Sequence, residues 1–258
     1  MSIRPNALKR RLASGGYVIG TIIPTNEPAL IEVSALAGFD HVIIDGEHGN
    51  VSVRDVEDLA RACEAAGITP LARVPSNTPV DILRFLDAGV MGVMVPQIRT
   101  ADDARRAVAA AKYYPEGRRG LASSRAARYG LAGPQAEYVA AANRETMVLA
   151  LLEDKEAVAN LDAILAVPGV DVYFIGPADL AQSYGHPGRT DHPDVQAAID
   201  TIIQRTIAAG KIAGTNAPTG PAAATLHARG VRYLCTGLWG LLASAARGYL
   251  SHLPPRET

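Results

Sequence analysis

The feature that most restricts this chain is a repeated alternation. From Tyr17 to Cys235, short runs rich in β-branched and aromatic residues are separated by longer segments with helical spacing of apolar residues. Strands are expected at Tyr17–Ile23, His41–Asp45, Thr69–Arg73, Met91–Val95, Met147–Glu153, Asp171–Ile175, Lys211–Thr215 and Val231–Cys235. Segments such as VRDVEDLARACEAAG and PVDILRFLDAG fill the gaps as helices, closed by a glycine where a left-handed cap belongs. A helix between successive strands makes those strands parallel, and a parallel sheet needs both faces covered. About eight such units in 258 residues predict a (β/α)8 TIM barrel, and with no low-complexity linker the span 1–258 reads as one domain. An open doubly wound sheet fits less well, because no G-x-G-x-x-G fingerprint follows the first strand.

One stretch breaks the rhythm. Tyr113–Glu145 is too long for an ordinary connection and is expected to hold a functional loop and an extra helix. Composition narrows the remaining classes. Hydrophobic residues make up 48% of the chain, enough for a large core, while a net charge of −1 leaves no electrostatic footprint for nucleic acid. No apolar run approaches the roughly 18 residues of a membrane span. The start MSIRPNALKRRLASGG lacks the apolar core of a signal peptide, so the expected location is cytoplasmic. Cys63 and Cys235 sit far apart in apolar segments and read as small core residues rather than a disulfide or metal pair. The expected partner is a small molecule, with no nucleic acid and no membrane.

In a TIM barrel the active site lies at the C-terminal ends of the strands. Asp45, Glu47 and His48 follow the second strand, Arg73 closes the third, Gln97 follows the fourth, Glu153 closes the fifth, and Gly176-Pro177-Ala178-Asp179 follows the sixth. Each has an ordinary explanation when taken alone. Asp45 is a common residue for a turn after a strand, Asp179 can cap the helix near DLAQS, His48 suits a solvent-facing loop, and Arg73 can pair with a neighbouring acid. Glu153 is harder to dismiss, because a carboxylate ending the apolar run VLALLE incurs a desolvation penalty unless it has a partner. Their joint placement on one rim is what points to chemistry. His186 and His192 lie in the Gly/Pro-rich stretch SYGHPGRTDHPD and read as surface-loop residues.

Six segments carry a resemblance. GFDHVIIDGEHGN, PLARVP, RFLDAGVMGVMVPQIRTADDARRAV, YYPEGRRG, LLEDKEAVANLDAILAVPGVDVYFIGPADLAQSYGHPG and HPDVQAAI, in that order, resemble the HpcH/HpaI family of class II, metal-dependent 2-oxo-acid aldolases. The similarity covers nearly the whole chain. It implies a modified TIM barrel assembled as a homohexamer whose subunits exchange C-terminal helices. It also implies a divalent cation, Mg²⁺ or Mn²⁺ with Co²⁺ as a further option, held by Glu153 and Asp179. By the same resemblance His48 is the catalytic histidine, Asp87 in RFLDAG the acid that supports it, and Arg73 the arginine that contacts substrate and stabilises the transition state. The substrate carboxylate then falls to the backbone of Gly176, Ala178 and Asp179, and Asp45 and Glu47 are expected to position metal-bound water. One departure stands out: Leu151 occupies a position where pyruvate aldolases of the family commonly carry glutamine.

These residue types suit the implied chemistry. A 2-oxo acid such as pyruvate or oxaloacetate presents a carboxylate oxygen and a ketone oxygen in one plane, a chelating pair for a hard cation. Two protein carboxylates leave most of an octahedral shell open, a guanidinium stabilises an oxygen that turns negative on enolisation, and an imidazole moves protons near neutral pH. No lysine stands at a strand end to form an imine, since Lys155 lies two residues past Glu153 and Lys211 begins its strand. The expected reaction is reversible cleavage of a 4-hydroxy-2-oxo acid, a sugar-acid derivative being one candidate, to pyruvate and an aldehyde. Leu151 keeps open a related metal-enolate enzyme that forms citrate or decarboxylates oxaloacetate. A non-catalytic metabolite-binding barrel is the third reading, and it leaves the acids, histidine and arginine without a purpose.

Overall fold

Local signals in the chain set the element boundaries. In the computed structural model, which describes residues 4–254, the order is α1 (Ala7–Ala13), β1 (Val18–Ile23), α2 (Pro28–Leu36), β2 (His41–Asp45), α3 (Val53–Ala66), β3 (Thr69–Arg73), α4 (Pro79–Ala88), β4 (Gly92–Val95) and α5 (Ala101–Ala111). There follow a 3₁₀ turn (Arg128–Gly130), α6 (Gln135–Glu145), β5 (Met147–Leu152), α7 (Lys155–Ala159), α8 (Leu161–Leu165), β6 (Val172–Ile175), α9 (Pro177–Ser183), α10 (Pro193–Ala208), β7 (Ala213–Asn216), α11 (Gly220–Ala228), β8 (Tyr233–Gly237) and α12 (Leu238–Leu250). Ser52 with Asp55, and Thr100 with Asp103, form reciprocal capping boxes that start α3 and α5 at the rim end of the barrel.

All eight expected strands exist, and the two largest boundary shifts share a cause. β7 and β8 each begin two residues later than their apolar runs suggest. At both places the preceding helix ends in a left-handed glycine, Gly210 (φ 69°) or Gly230 (φ 89°). The next residue then donates its N–H back into the helix, Lys211 to the Thr206 carbonyl at 3.0 Å and Val231 to the Leu226 carbonyl at 3.1 Å. These are Schellman closures, so Lys211 and Val231 belong to helix ends and not to strands.

The strands pair in parallel in chain order, and β8 pairs with β1, closing the barrel as a TIM fold. Closure separates two apolar layers. Ile43, Leu71, Met94, Leu149, Leu151 and Phe174 fill the inside, while Val42, Ile44, Val93, Val148 and Ile175 pack outward against the helices. Successive side chains of one strand thus go to opposite layers, both dry, which is why the strands read as unbroken apolar runs. The lower interior also holds His41, whose ring lies 4.6 Å from that of Tyr233 and whose Nε2 is 3.5 Å from Cys235 Sγ. Both cysteines are free and buried. No helix among the described residues is long and apolar enough to cross a membrane.

Candidate active site

β2 and β3 lie side by side in a register that sets Asp45 opposite Arg73. The guanidinium donates twice to the buried Asp45 carboxylate, Nε to Oδ1 at 2.9 Å and Nη2 to Oδ2 at 2.7 Å. Asp45 Oδ1 also accepts the backbone N–H groups of Glu47 and His48, each at 3.2 Å. Burial by itself raises this carboxyl, but the hydrogen bonds and charge of Arg73, with the two amides, hold it below its usual value. These contacts clamp Arg73 and shape the Gly46–Asn50 loop.

That loop follows a narrow path. A Cβ on Gly46 would sit 2.5 Å from the Phe85 ring and 2.9 Å from the Arg73 carbonyl, and one on Gly49 would sit 2.3 Å from the Asp45 carbonyl. Only glycine permits both approaches. The two glycines thereby deliver Glu47 and His48 to the rim. Glu47 Oε2 stands 3.3 Å from Arg73 Nη1 and has no hydrogen-bond partner although it is buried. His48 is open to solvent, its side chain 64% exposed, with Nε2 4.0 Å from the same Glu47 oxygen.

Across the rim, Glu153 follows the end of β5 and is nearly buried. Its Oε1 accepts the backbone N–H of Gln97 at 2.9 Å. Gln97 supplies that N–H from a left-handed conformation, φ 56°, unusual for a residue other than glycine. Gly176, at the turn from β6 into α9, lets the chain pass close to the acid: a Cβ there would lie 3.0 Å from Glu153 Cβ and 3.1 Å from Oε2. Ala178 and Asp179 then occupy the first turn of α9, where backbone N–H groups have no intrahelical acceptor.

The rim gathers buried carboxyls. Burial lifts the Glu153 carboxyl to about 7, with the Gln97 amide and Arg73 working against the rise and the negative charges of Glu47 and Asp179 adding to it. Glu47 is also raised, first by burial, with Asp45 and Asp179 adding to the rise against Arg73 and His48. Glu47 and Asp179 thus both act on Glu153, beside a guanidinium that Asp45 already pairs. An all-oxygen donor set is of the kind that suits a hard divalent ion. The same rim opens on a cavity of about 540 Å³, lined by Arg73, Glu153 and Asp179 and, lower down, by Ile22, Leu151 and Phe174.

Two expected members of the site fall elsewhere. Asp87 is in the last turn of α4, and α4 starts from the rim and runs to the far end of the barrel, where β4 begins. There Asp87 accepts from Arg119 Nη2 at 2.7 Å, so within one chain it does not support His48. The irregular segment also lies at that far end. It connects the end of α5 to the start of β5, and with Gly89 and Met91 its Arg119, Arg125 and Tyr138 line a separate cavity of about 430 Å³. It holds the extra helix expected of it, but within the chain it does not border the catalytic rim.

Gln97 is the residue whose role the sequence concealed. Its place after β4 was legible, whereas a positive φ at a glutamine leaves no compositional signal. His186 and His192, read as loop residues, stack with ring centroids 3.4 Å apart beside Asp194. They form the one set of three such ligand atoms within 4.8 Å among the described residues. Nearly parallel rings, 16° apart, do not aim their in-plane lone pairs at a common point, so we assign no ion there.

Comparison with known proteins gives the family. Residues 19–233 match the family model described as HpcH/HpaI aldolase/citrate lyase. The 5-keto-4-deoxy-D-glucarate aldolase of Shigella dysenteriae serotype 1 (strain Sd197) is 39% identical over 233 residues, 90% of each chain. The crystal structure of an HpcH/HpaI aldolase/citrate lyase family protein from Burkholderia cenocepacia J2315 superposes with a TM-score of 0.90 at 35% identity, covering 95% of this chain and 98% of that one. Citrate synthase SbnG superposes with a TM-score of 0.85 at 32% identity, covering 95% and 96%. The chain belongs to the HpcH/HpaI aldolase/citrate lyase family. Its chemistry is that of an aldolase, a carbon–carbon lyase.

Proposed function

We propose that this enzyme cleaves a 4-hydroxy-2-oxo acid of sugar-acid origin, of the 5-keto-4-deoxy-D-glucarate type, to pyruvate and an aldehyde. Numbered from its keto end, that compound is itself a 4-hydroxy-2-oxo acid with a second carboxylate. The single observation that carries the reading is geometric: Glu153 and Asp179 line one cavity with Arg73, whose guanidinium is clamped by Asp45. A divalent cation of the Mg²⁺ or Mn²⁺ kind, held by Glu153 and Asp179, supplies Lewis acidity to the ketone when bound.

The remaining steps belong to the chain. The N–H groups of Ala178 and Asp179 receive the substrate carboxylate at the positive end of α9, with Gly176 giving it close access. His48 takes the proton of the 4-hydroxyl. The C3–C4 bond breaks, C4 leaves as the aldehyde carbon, and the electron pair stays with C3 as the enolate of pyruvate. Arg73, fixed by its paired hydrogen bonds to Asp45, donates to the enolate oxygen as its charge grows. A proton returned to C3 completes pyruvate. Asp45 serves as a positioning residue, and Glu47 acts on the charge of Arg73 and on the rim water.

A second reading, a citrate-forming or oxaloacetate-decarboxylating enzyme with the same enolate, is favoured by Leu151 and by the likeness to SbnG. We also propose a cytoplasmic homo-oligomer that exchanges α12. This helix buries none of its residues and exposes Trp239, Leu242 and Leu250.

The test is proton exchange. With Mn²⁺ or Mg²⁺ and pyruvate in D₂O, the methyl protons exchange, and Glu153→Ala abolishes the exchange. No exchange under any metal overturns the proposal. Condensation with an acyl-CoA alongside failure with every aldehyde selects the second reading.

A further inference from the structure

The inner wall of the rim cavity is apolar at Ile22, Met94, Leu151 and Phe174, and it carries one idle amide, Asn216 at the end of β7. The strand sets its direction. A Cβ on Gly214 would lie 3.0 Å from Val172 Cγ1 and 3.1 Å from Phe174 Cδ2, both in the inner layer, so Gly214 faces inward and Asn216, two residues on, does the same. The backbone there is held without help from the side chain: Asn216 pairs with Cys235 of β8, and the N–H of Ala217 donates to the Cys235 carbonyl at 2.7 Å. Thr215, its neighbour in the cavity, has its hydroxyl committed to the Ile175 carbonyl at 3.1 Å. Asn216 Oδ1, by contrast, is buried with no hydrogen-bond partner. A polar group left unpaired inside a fold costs stability until a ligand or water completes it.

The barrel order says which part of a substrate this amide meets. β3 and β7 are four places apart in a ring of eight strands, so Asn216 faces Arg73 across the cavity. β6 lies between β5 and β7, and the register that sets Leu151 beside Phe174 and Phe174 beside Gly214 continues upward as Glu153, Gly176 and Asn216. Gly176 has no side chain to stand between the other two. Asn216 therefore flanks the turn into α9, whose N–H groups receive the substrate carboxylate in the proposed reaction. The trigonal ketone carbon of a 2-oxo acid spreads its three bonds evenly in one plane. With the ketone oxygen directed at Arg73 on β3 and the carboxylate carbon at the β6 turn, one carboxylate oxygen points to the β5 side and the other to β7. We infer that the Asn216 amide donates to this second carboxylate oxygen and so fixes how the 2-oxo acid is turned in the barrel mouth. The two ends of a primary amide exchange by a half-turn about its last side-chain bond, which lets the NH₂ group face the cavity. The inference rests on the aldolase reading and adds a side-chain contact to the substrate in the same site. A hydrogen bond to a charged oxygen is worth on the order of 10-fold or more in binding.

The experiment measures pyruvate binding to the Mn²⁺-loaded enzyme by calorimetry, with KM and kcat taken from exchange of the methyl protons in D₂O. Asn216→Leu is expected to raise the dissociation constant and KM about tenfold, with kcat within about threefold of the native value and Mn²⁺ affinity unchanged. Asn216→Asp keeps the shape and sets a carboxylate against that of the substrate, so pyruvate should bind about 100-fold more weakly or worse. A role in shape alone would leave Asn216→Asp close to native, and this variant decides the matter if Asn216→Leu does not fold. Native-like pyruvate affinity in Asn216→Asp, or an Asn216→Leu effect that is absent or falls on kcat or Mn²⁺ affinity instead of KM, overturns the inference while the aldolase reading stands. No exchange in the native enzyme under any metal overturns both.

Discussion

Metal binding by this protein should release protons, in an amount set by Glu153. Its carboxyl is lifted from 4.5 to about 7, so near neutral pH the metal-free site is about half protonated. A cation binds the carboxylate and must expel that proton. The release per ion should therefore be about 0.5 proton at pH 7, about 0.9 at pH 6 and about 0.1 at pH 8. Apparent affinity should fall about tenfold per pH unit below 7. The same shift governs stability. A carboxyl whose folded value lies above its unfolded value favours folding below about 4.5 and disfavours it once pH has risen through 7. The full penalty for the charged form is about 3 kcal/mol. Thermal unfolding of the metal-free protein should thus weaken between pH 5 and 8, and Mn²⁺ should restore most at the upper end. Calorimetric titration of Mn²⁺ in buffers of different ionisation enthalpy reads the proton count directly. Glu153→Gln should remove both the protons and most of the affinity, whereas Asp162→Asn, on the exposed face of α8, should change neither. Fewer than about 0.1 proton at both pH 6 and pH 7 would refute the argument that these acids share a confined, cation-seeking space.

Three further outcomes test other parts of the framework. Gly176→Ala has an acceptable backbone, φ −98°, but its Cβ presses on Glu153 at 3.0 Å; Mn²⁺ affinity should drop about tenfold with the fold retained, and unchanged affinity would show that the acid has room to spare. At Gln97, φ 56°, a change to Gly should preserve stability, while Gln97→Val should cost about 1–3 kcal/mol in urea unfolding and weaken Mn²⁺ binding, because Glu153 loses a well-aimed amide. Burial depresses His41 from 6.5 to about 3, so its contribution is complete above 6.5 and drains away as pH falls toward 3, by about 1.4 kcal/mol per unit. His41→Gln should accordingly flatten the unfolding midpoint between pH 6.5 and 4.5; parallel curves for variant and parent would contradict a neutral buried imidazole.

What the chain determines by itself is local. The eightfold alternation, the glycine stops after helices and the polar residues that punctuate strand ends follow from short-range periodicity and steric preference. That was enough to place Asp45, Arg73, Glu153 and Asp179 at one end of a parallel barrel. Tertiary structure decided which of them meet. Asp45 holds Arg73 because the β2–β3 register puts them side by side, a relation across 28 positions that neither run announces. Gln97 serves Glu153 through a backbone angle, which leaves no trace in residue type. Asp87 resembles a site residue in its motif, yet the downward course of α4 carries it to the opposite end, beside Arg119. The lift of Glu153 emerges only when barrel closure buries the acid and brings Glu47 and Asp179 close enough to add to it. Periodicity acts over a few residues, while register, helix direction and charge coupling are settled by the whole barrel at once.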